Sequence, residues 1–240
     1  MGRDAAQNLT QGAYEGLRAD LLACRILPGS RLKIQTLCDR FSVSLGAVRE
    51  ALSRLTSEGL VISEPQRGFR AAPISVADLR DLTMVRIEIE RLCITRAVAA
   101  GTVEWEATLV AAFHRLSRTP ERAVTDPMRS DDDWADAHAA FHWALVEGAD
   151  SPWLLRIHSQ LYAQSERYRR LSVPLSTEAR NVGQEHQSIM EAALRRDAPA
   201  AVALMTHHLA VTTEILLGAD IDSYAARRAG GEEQDTDRGE

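Results

Sequence analysis

The chain has 240 residues, 45% of them hydrophobic, enough for a folded core and for one large domain or two small ones. Its net charge of −6 hides an asymmetry: residues 1–73 carry ten basic against seven acidic side chains, and the remainder carries eighteen against twenty-seven. No run of about 18 apolar residues occurs, the N-terminal MGRDAAQNLT lacks an apolar stretch, and Cys24, Cys38 and Cys93 are few and scattered, so a membrane span, a secretory leader and a disulfide framework are not expected; the thiols read as those of a cytoplasmic protein.

A mildly basic head on an acidic body suits a head that binds nucleic acid. Thr10 can cap a first helix carrying Tyr14, Leu17, Leu21 and Leu22, which stops before the turn Leu27-Pro28-Gly29. A second short helix covers about 33–40. Residues 41–59, FSVSLGAVREALSRLTSEG, then read as a turn and a recognition helix. Phe41, Val43, Val48, Leu52 and Leu55 are apolar at turn and helical spacings, Ser44 is an N-cap, and Gly59 supplies the left-handed stop. The polar face carries Ser44, Arg49, Ser53 and Arg54, a short, basic, hydroxyl-bearing surface suited to a major groove. Two strands at 60–63 and 69–72 flank the turn Pro65-Gln66-Arg67-Gly68, which completes a winged helix-turn-helix over 8–73 with Gln66, Arg67 and Gly68 at the wing tip. Arg49 leads as a DNA-reading residue, because a guanidinium can grip phosphate or a guanine edge with two hydrogen bonds; the alternative is a surface ion pair with Glu50.

Pro73 marks a boundary, and Ser75 caps a long helix. Helical patterns cover 76–100, 103–118, 131–148, 152–172, 177–196 and 198–218, separated by breakers such as Gly101-Thr102, Thr119-Pro120 and Pro174. No convincing strand occurs between them, so the fold is mainly α: a winged head followed by an all-α bundle over 74–220. Residues 221–240 are polar and charged and are expected to be disordered.

His138 and His142 lie four apart on one predicted helix and share a face. His186 falls in the apolar stripe Val182, Ile189, Ala193, and His208 in the stripe Ala201, Leu204, Val211, Ile215, so all four rings can converge inside the bundle. Converging neutral imidazoles suit Zn²⁺ or Ni²⁺. Alone, an HxxxH pair is weak and reads as readily as structural. His207 lies on a poorer interior face and is excluded.

The ordered blocks ILPGSRLKI, LCDRFSVS, AVREALSRLTSEGLV and PQRGF resemble the GntR family of bacterial regulators. The blocks HAAFHWAL, SPWLL, ERYRRLS, EHQSIMEAALRRD and HHLAVTTEIL are similar to the FCD effector domain of its FadR subfamily, a bundle of six or seven helices. SLGAVREALSRLT, PQRGF and QSERYRRLS look most like the carbon-starvation-induced (CsiR-type) regulators. The resemblance implies a homodimer on a palindromic DNA operator, approached by Gln35, Ser44, Leu45, Gly46, Ala47, Arg49, Gln66, Arg67 and Gly68. Family members usually have arginine where Leu45 stands, so the operator should differ from the common half-site. The resemblance also implies a divalent metal, Zn or Ni, on an Asp and three His; His142, His186 and His208 match, and His138 takes the Asp position. An open metal position facing a cavity would take a small carboxylate effector, a C4–C5 dicarboxylate such as glutarate by the subgroup likeness, with Arg86 or Arg169 holding its distal carboxylate. These features point to a repressor released by an organic acid. The alternatives are a regulator that senses metal alone and a metal-dependent hydrolase, the latter disfavoured because HAAFH lacks the general-base Glu of HExxH.

Overall fold

A computed structural model describes residues 2–123, 126–172 and 180–218. The expected disordered tail at 221–240, and the expected start of a helix at 177, lie outside these residues. The described chain falls into two compact units, one running to Val76 and the other spanning Ala77–Ala219.

In the first unit, α1 (Gly2–Leu22), α2 (Ile34–Phe41) and α3 (Leu45–Ser57) pack with a three-stranded antiparallel sheet of order β1-β3-β2. α1 begins well before Thr10, because no breaker stands in RDAAQNL and Thr10 lies inside the helix instead of capping it. On α3, the Ser44 hydroxyl accepts from the Ala47 amide, and Gly59 follows the helix at φ +73°. β2 (Val61–Glu64) and β3 (Gly68–Ala71) form the wing. β1 (Arg31–Leu32) was not expected; a two-residue strand has no periodicity to read, and its place is set by pairing Leu32 with Phe69. Leu17, Leu21, Val48, Leu52, Leu55 and Leu60 are fully buried and form this unit's core.

The second unit holds α4 (Val76–Ala100), α5 (Val103–Arg118), α6 (Asp132–Val146), α7 (Pro152–Ser172), α8 (Val182–Leu194) and α9 (Ala198–Gly218). The all-α expectation needs one correction: β4 (Arg122–Ala123) and β5 (Asp126–Ser130) pair as a small antiparallel hairpin between α5 and α6. Thr119-Pro120 reads as a helix separator, and strands this short carry no period to reveal them in the sequence. Asp131 then caps α6, its carboxylate accepting from the Asp133 and Trp134 amides. The Trp105 indole is wedged where a Cβ on Gly101 would meet its ring at 2.2 Å and one on Gly148 at 3.1 Å, and its Nε1 donates to the Ala144 carbonyl at 2.8 Å.

Among the described residues, α9 alone is long and apolar enough to cross a membrane by length and composition. It packs against α7 and α8 and turns Ala201, Met205, His208 and Leu216 into the interior of the unit.

Candidate metal centre and nucleic-acid interface

α6, α8 and α9 each bring histidine to one point. His138 and His142 project from successive turns of α6, His186 from α8 and His208 from α9, and one ligand nitrogen from each lies within 4.8 Å of all the others. All four rings are buried. Burial first, and then the neighbouring imidazoles, hold His138 and His142 well below the ordinary histidine range. Burial likewise lowers His186 and His208. The rings are therefore neutral near pH 7, the state that ligates a metal.

The outer contacts decide which nitrogens face inward. His208 Nδ1 is 2.8 Å from Glu185 Oε2, and the Arg180 guanidinium bonds the same carboxylate as well as Thr212 Oγ1 and the His208 carbonyl. Against the upward push of burial, the hydrogen bonds from His208 and Arg180 take Glu185 to about 2. A permanent carboxylate on Nδ1 keeps the His208 proton there and leaves Nε2 for the centre. His138 Nδ1 lies 2.8 Å from Tyr162 Oη, while the Nε2 atoms of His138 and His142 approach to 3.1 Å. That spacing suits two ligands of one ion, since nitrogens about 2.0–2.1 Å from a tetrahedral metal lie roughly 3.3 Å apart. His186 Nε2 is buried and has no hydrogen-bond partner among the described residues, a lone pair that a cation would satisfy. The set therefore fits a borderline, nitrogen-preferring divalent ion.

Beside the histidines is a small open pocket whose wall is shared by His138, His142, His208, Arg86 and Arg169. Both arginines singled out from the sequence thus face the same space as three of the histidines. Each is already partnered. Arg86 is buried, bonds Glu90 Oε1 at 3.2 Å through Nη2 and stacks 5.0 Å from the centre of the Tyr162 ring. Arg169 bonds Glu166 at 2.7 and 2.8 Å and lies over Trp134. Glu90 also accepts from the buried His158, a pairing the sequence did not reveal. Tyr162 was missed as well. The signal was present: His158, Tyr162, Ser165 and Arg169 follow one another at helical spacing along α7, and the last three line the pocket.

In the head, Ser44, Leu45, Gly46 and Arg49 form one exposed surface at the start of α3, with Gln35 exposed on α2 and bonded to Asp39. Leu45 is 52% exposed. Arg49 makes no ion pair among the described residues, so the pairing with Glu50 is absent. Around Gly46 the space is open apart from Ser44 Oγ at 3.9 Å. Gln66, Arg67 and Gly68 are exposed at the wing, with Gln66 at φ +63° and Gly68 at φ +88°. Arg54 is the exception to the polar face read from the sequence. Its guanidinium lies 3.7 Å from the centre of the Tyr14 ring and bonds Gln11, so it braces α3 against α1.

The FCD domain family matches residues 81–211, and the family described as bacterial regulatory proteins, gntR family, matches residues 9–70. The uncharacterized HTH-type transcriptional regulator BphR of Paraburkholderia xenovorans is 42% identical over 85% of this chain and 83% of its own length. The HTH-type transcriptional repressor GlaR of Escherichia coli is 33% identical over 85% and 93%. The solved structure of E. coli McbR/YncC shares the fold, with a TM-score of 0.71 at 20% identity over 88% of this chain and 97% of that one. The relatives are regulators and not enzymes, and the hydrolase alternative falls with that. The chain belongs to the GntR family of bacterial regulatory proteins and is a DNA-binding transcriptional regulator with an FCD domain.

Proposed function

We propose that the protein is a repressor which leaves a palindromic operator when a small carboxylate binds beside a divalent metal, Zn²⁺ or Ni²⁺, in its helical unit. Residues 8–73 read the DNA, and residues 74–220 hold the ligands and form the homodimer. The observation that carries this reading is the wall shared by His138, His142, His208, Arg86 and Arg169. The metal supplies a Lewis-acidic anchor for one carboxylate when bound, and the Arg86 fork can take a second through Nη1, which makes no hydrogen bond among the described residues. A C4–C5 dicarboxylate such as glutarate is the class to try first. The exposed Ser44, Leu45, Gly46, Arg49, Gln35 and wing tip form the DNA surface, and Leu45 is suited to a thymine methyl.

Dimerisation fits the outer face of α4. Met84, Val85 and Leu92 are exposed there, and Glu88 and Arg91 lie among them. An antiparallel two-fold contact centred midway between Glu88 and Arg91 covers the apolar residues and sets Glu88 against the partner's Arg91.

A second reading, metal sensing without an acid, is favoured by the four-histidine set, which can fill a tetrahedral ion by itself. Fluorescence anisotropy on DNA upstream of the protein's own gene separates the two. Release by one dicarboxylate only in Zn²⁺-loaded protein supports the first. Release or capture by Zn²⁺ alone, with indifference to every acid, supports the second.

A further inference from the structure

We propose that Tyr162 is the positioning residue for His138 as a metal ligand: its hydroxyl accepts a hydrogen bond from His138 Nδ1–H and steadies the ring while Nε2 is left for the ion. The inference rests on the metal reading above and concerns residues of α6 and α7 only.

A histidine ligates through a bare nitrogen, and a neutral ring carries its one proton on the other nitrogen. The Nε2 atoms of His138 and His142 are 3.1 Å apart. Without an ion, one Nε2 must carry a proton and donate it to the other, because two bare lone pairs at that distance repel. With an ion between them, both Nε2 atoms must be bare, and each ring must carry its proton on Nδ1. For His142 that nitrogen has no partner among the described residues. For His138 it has Tyr162 Oη at 2.8 Å.

A phenol is suited to both conditions. It donates to a bare Nδ1 and accepts from a protonated one, so the 2.8 Å contact survives the change of tautomer. A carboxylate could only accept, and a phenylalanine could do neither. The Tyr162 ring is held in place by the Arg86 guanidinium, 5.0 Å from the ring centre. Glu185 can only accept from His208, whereas Tyr162 stays bonded to His138 Nδ1 in either tautomer, so it holds the ring in place and satisfies the Nδ1 proton once Nε2 ligates. Histidine at position 138 carries a second nitrogen that must hold the proton when Nε2 ligates, and α7 supplies the group that accepts from it.

The test is Tyr162→Phe in the full chain, with Zn²⁺ alone as probe and a chromophoric chelator as competitor. Zn²⁺ affinity falls about 10–100-fold, as for loss of an outer-shell partner. In Zn²⁺-loaded wild type, long-range ¹H–¹⁵N NMR finds a slowly exchanging proton on His138 Nδ1, and in the variant that proton exchanges faster or is lost. A packing role alone would lower the melting temperature and leave the ratio of Zn²⁺ affinities near one. Equal affinity in variant and wild type, or a His138 ring coordinated through Nδ1, overturns the proposal and leaves the metal reading standing. A wild type that binds no Zn²⁺, Ni²⁺ or Co²⁺ overturns both. If Tyr162→Phe fails to fold, His138→Ala decides: with Zn²⁺ affinity unchanged, His138 is not a ligand and the proposal falls.

Discussion

One turn apart on α6, His138 and His142 bring their Nε2 atoms within 3.1 Å, and both rings are buried. Both rings are held neutral by burial, as are His186 and His208. In the unfolded chain a histidine takes up its proton below about pH 6.5. The folded values are lowered, so the unfolded state binds more protons as the pH falls, and stability that is fully present above about 6.5 is lost below it. Metal-free protein should therefore unfold at lower denaturant at pH 5.5 than at pH 7.5. Each buried ring contributes up to about 1.4 kcal/mol per pH unit. An unchanged midpoint would show that the rings are charged or solvated in the fold.

Arg49 and Arg54 lie five residues apart on α3 and are predicted to behave differently. Arg49 is exposed and unpaired among the described residues, so Arg49→Ala should weaken operator binding. If it grips phosphate, the salt dependence loses about one unit of slope, and if it reads a base, discrimination at one position falls by about 1–3 kcal/mol. Arg54→Ala should cost about 0.5–2 kcal/mol of stability through the lost Tyr14 contact. Anisotropy titrations at several salt concentrations and urea melts distinguish the two.

Arg86→Ala would leave the buried Glu90 with only His158 and risks unfolding the site. Arg86→Lys keeps the charge and removes the planar fork. The acid concentration for half-release from DNA should rise at least about tenfold, the cost of about 1.4 kcal/mol of effector binding. DNA affinity without acid is the control: its loss would assign Arg86 a structural role instead.

The Trp105 wedge makes a stability prediction. A Cβ at Gly101 would fall 2.2 Å from the ring of a side chain that is 5% exposed and hydrogen-bonded to Ala144. Gly101→Ala should destabilise the protein by about 1–3 kcal/mol through overpacking. Gly148→Ala, with contacts of 3.1–3.3 Å, should cost less. Thermal melts that rank the two in the opposite order would contradict the packing described.

Leu92→Asp places a charge on the part-exposed apolar face of α4, and a melting curve of the variant checks that the fold survives. Light scattering should find monomer where the parent is dimeric, with weaker operator binding. A dimer that withstands Leu92→Asp and Val85→Asp would move the interface elsewhere without touching the regulatory reading.

The sequence by itself determined the elements whose signals are local. Ser44 as cap, Gly59 as stop, the Gln66–Gly68 wing tip and the long helices of the second unit are set by short-range hydrogen bonding, backbone freedom and apolar period. The four histidines were legible for the same reason, since each sits in an inward stripe of its own helix. Only the tertiary structure decided what meets across helices. The pairing of β1 with β3, the β4–β5 hairpin, Arg54 over Tyr14, Glu90 between Arg86 and His158, and Tyr162 on His138 join residues up to 68 positions apart in the chain. Periodicity reports which face of a helix turns inward, but not the rotation and depth at which two helices pack. Those set whether a phenol oxygen reaches a ring nitrogen, and with it whether that ring is held in place for a metal.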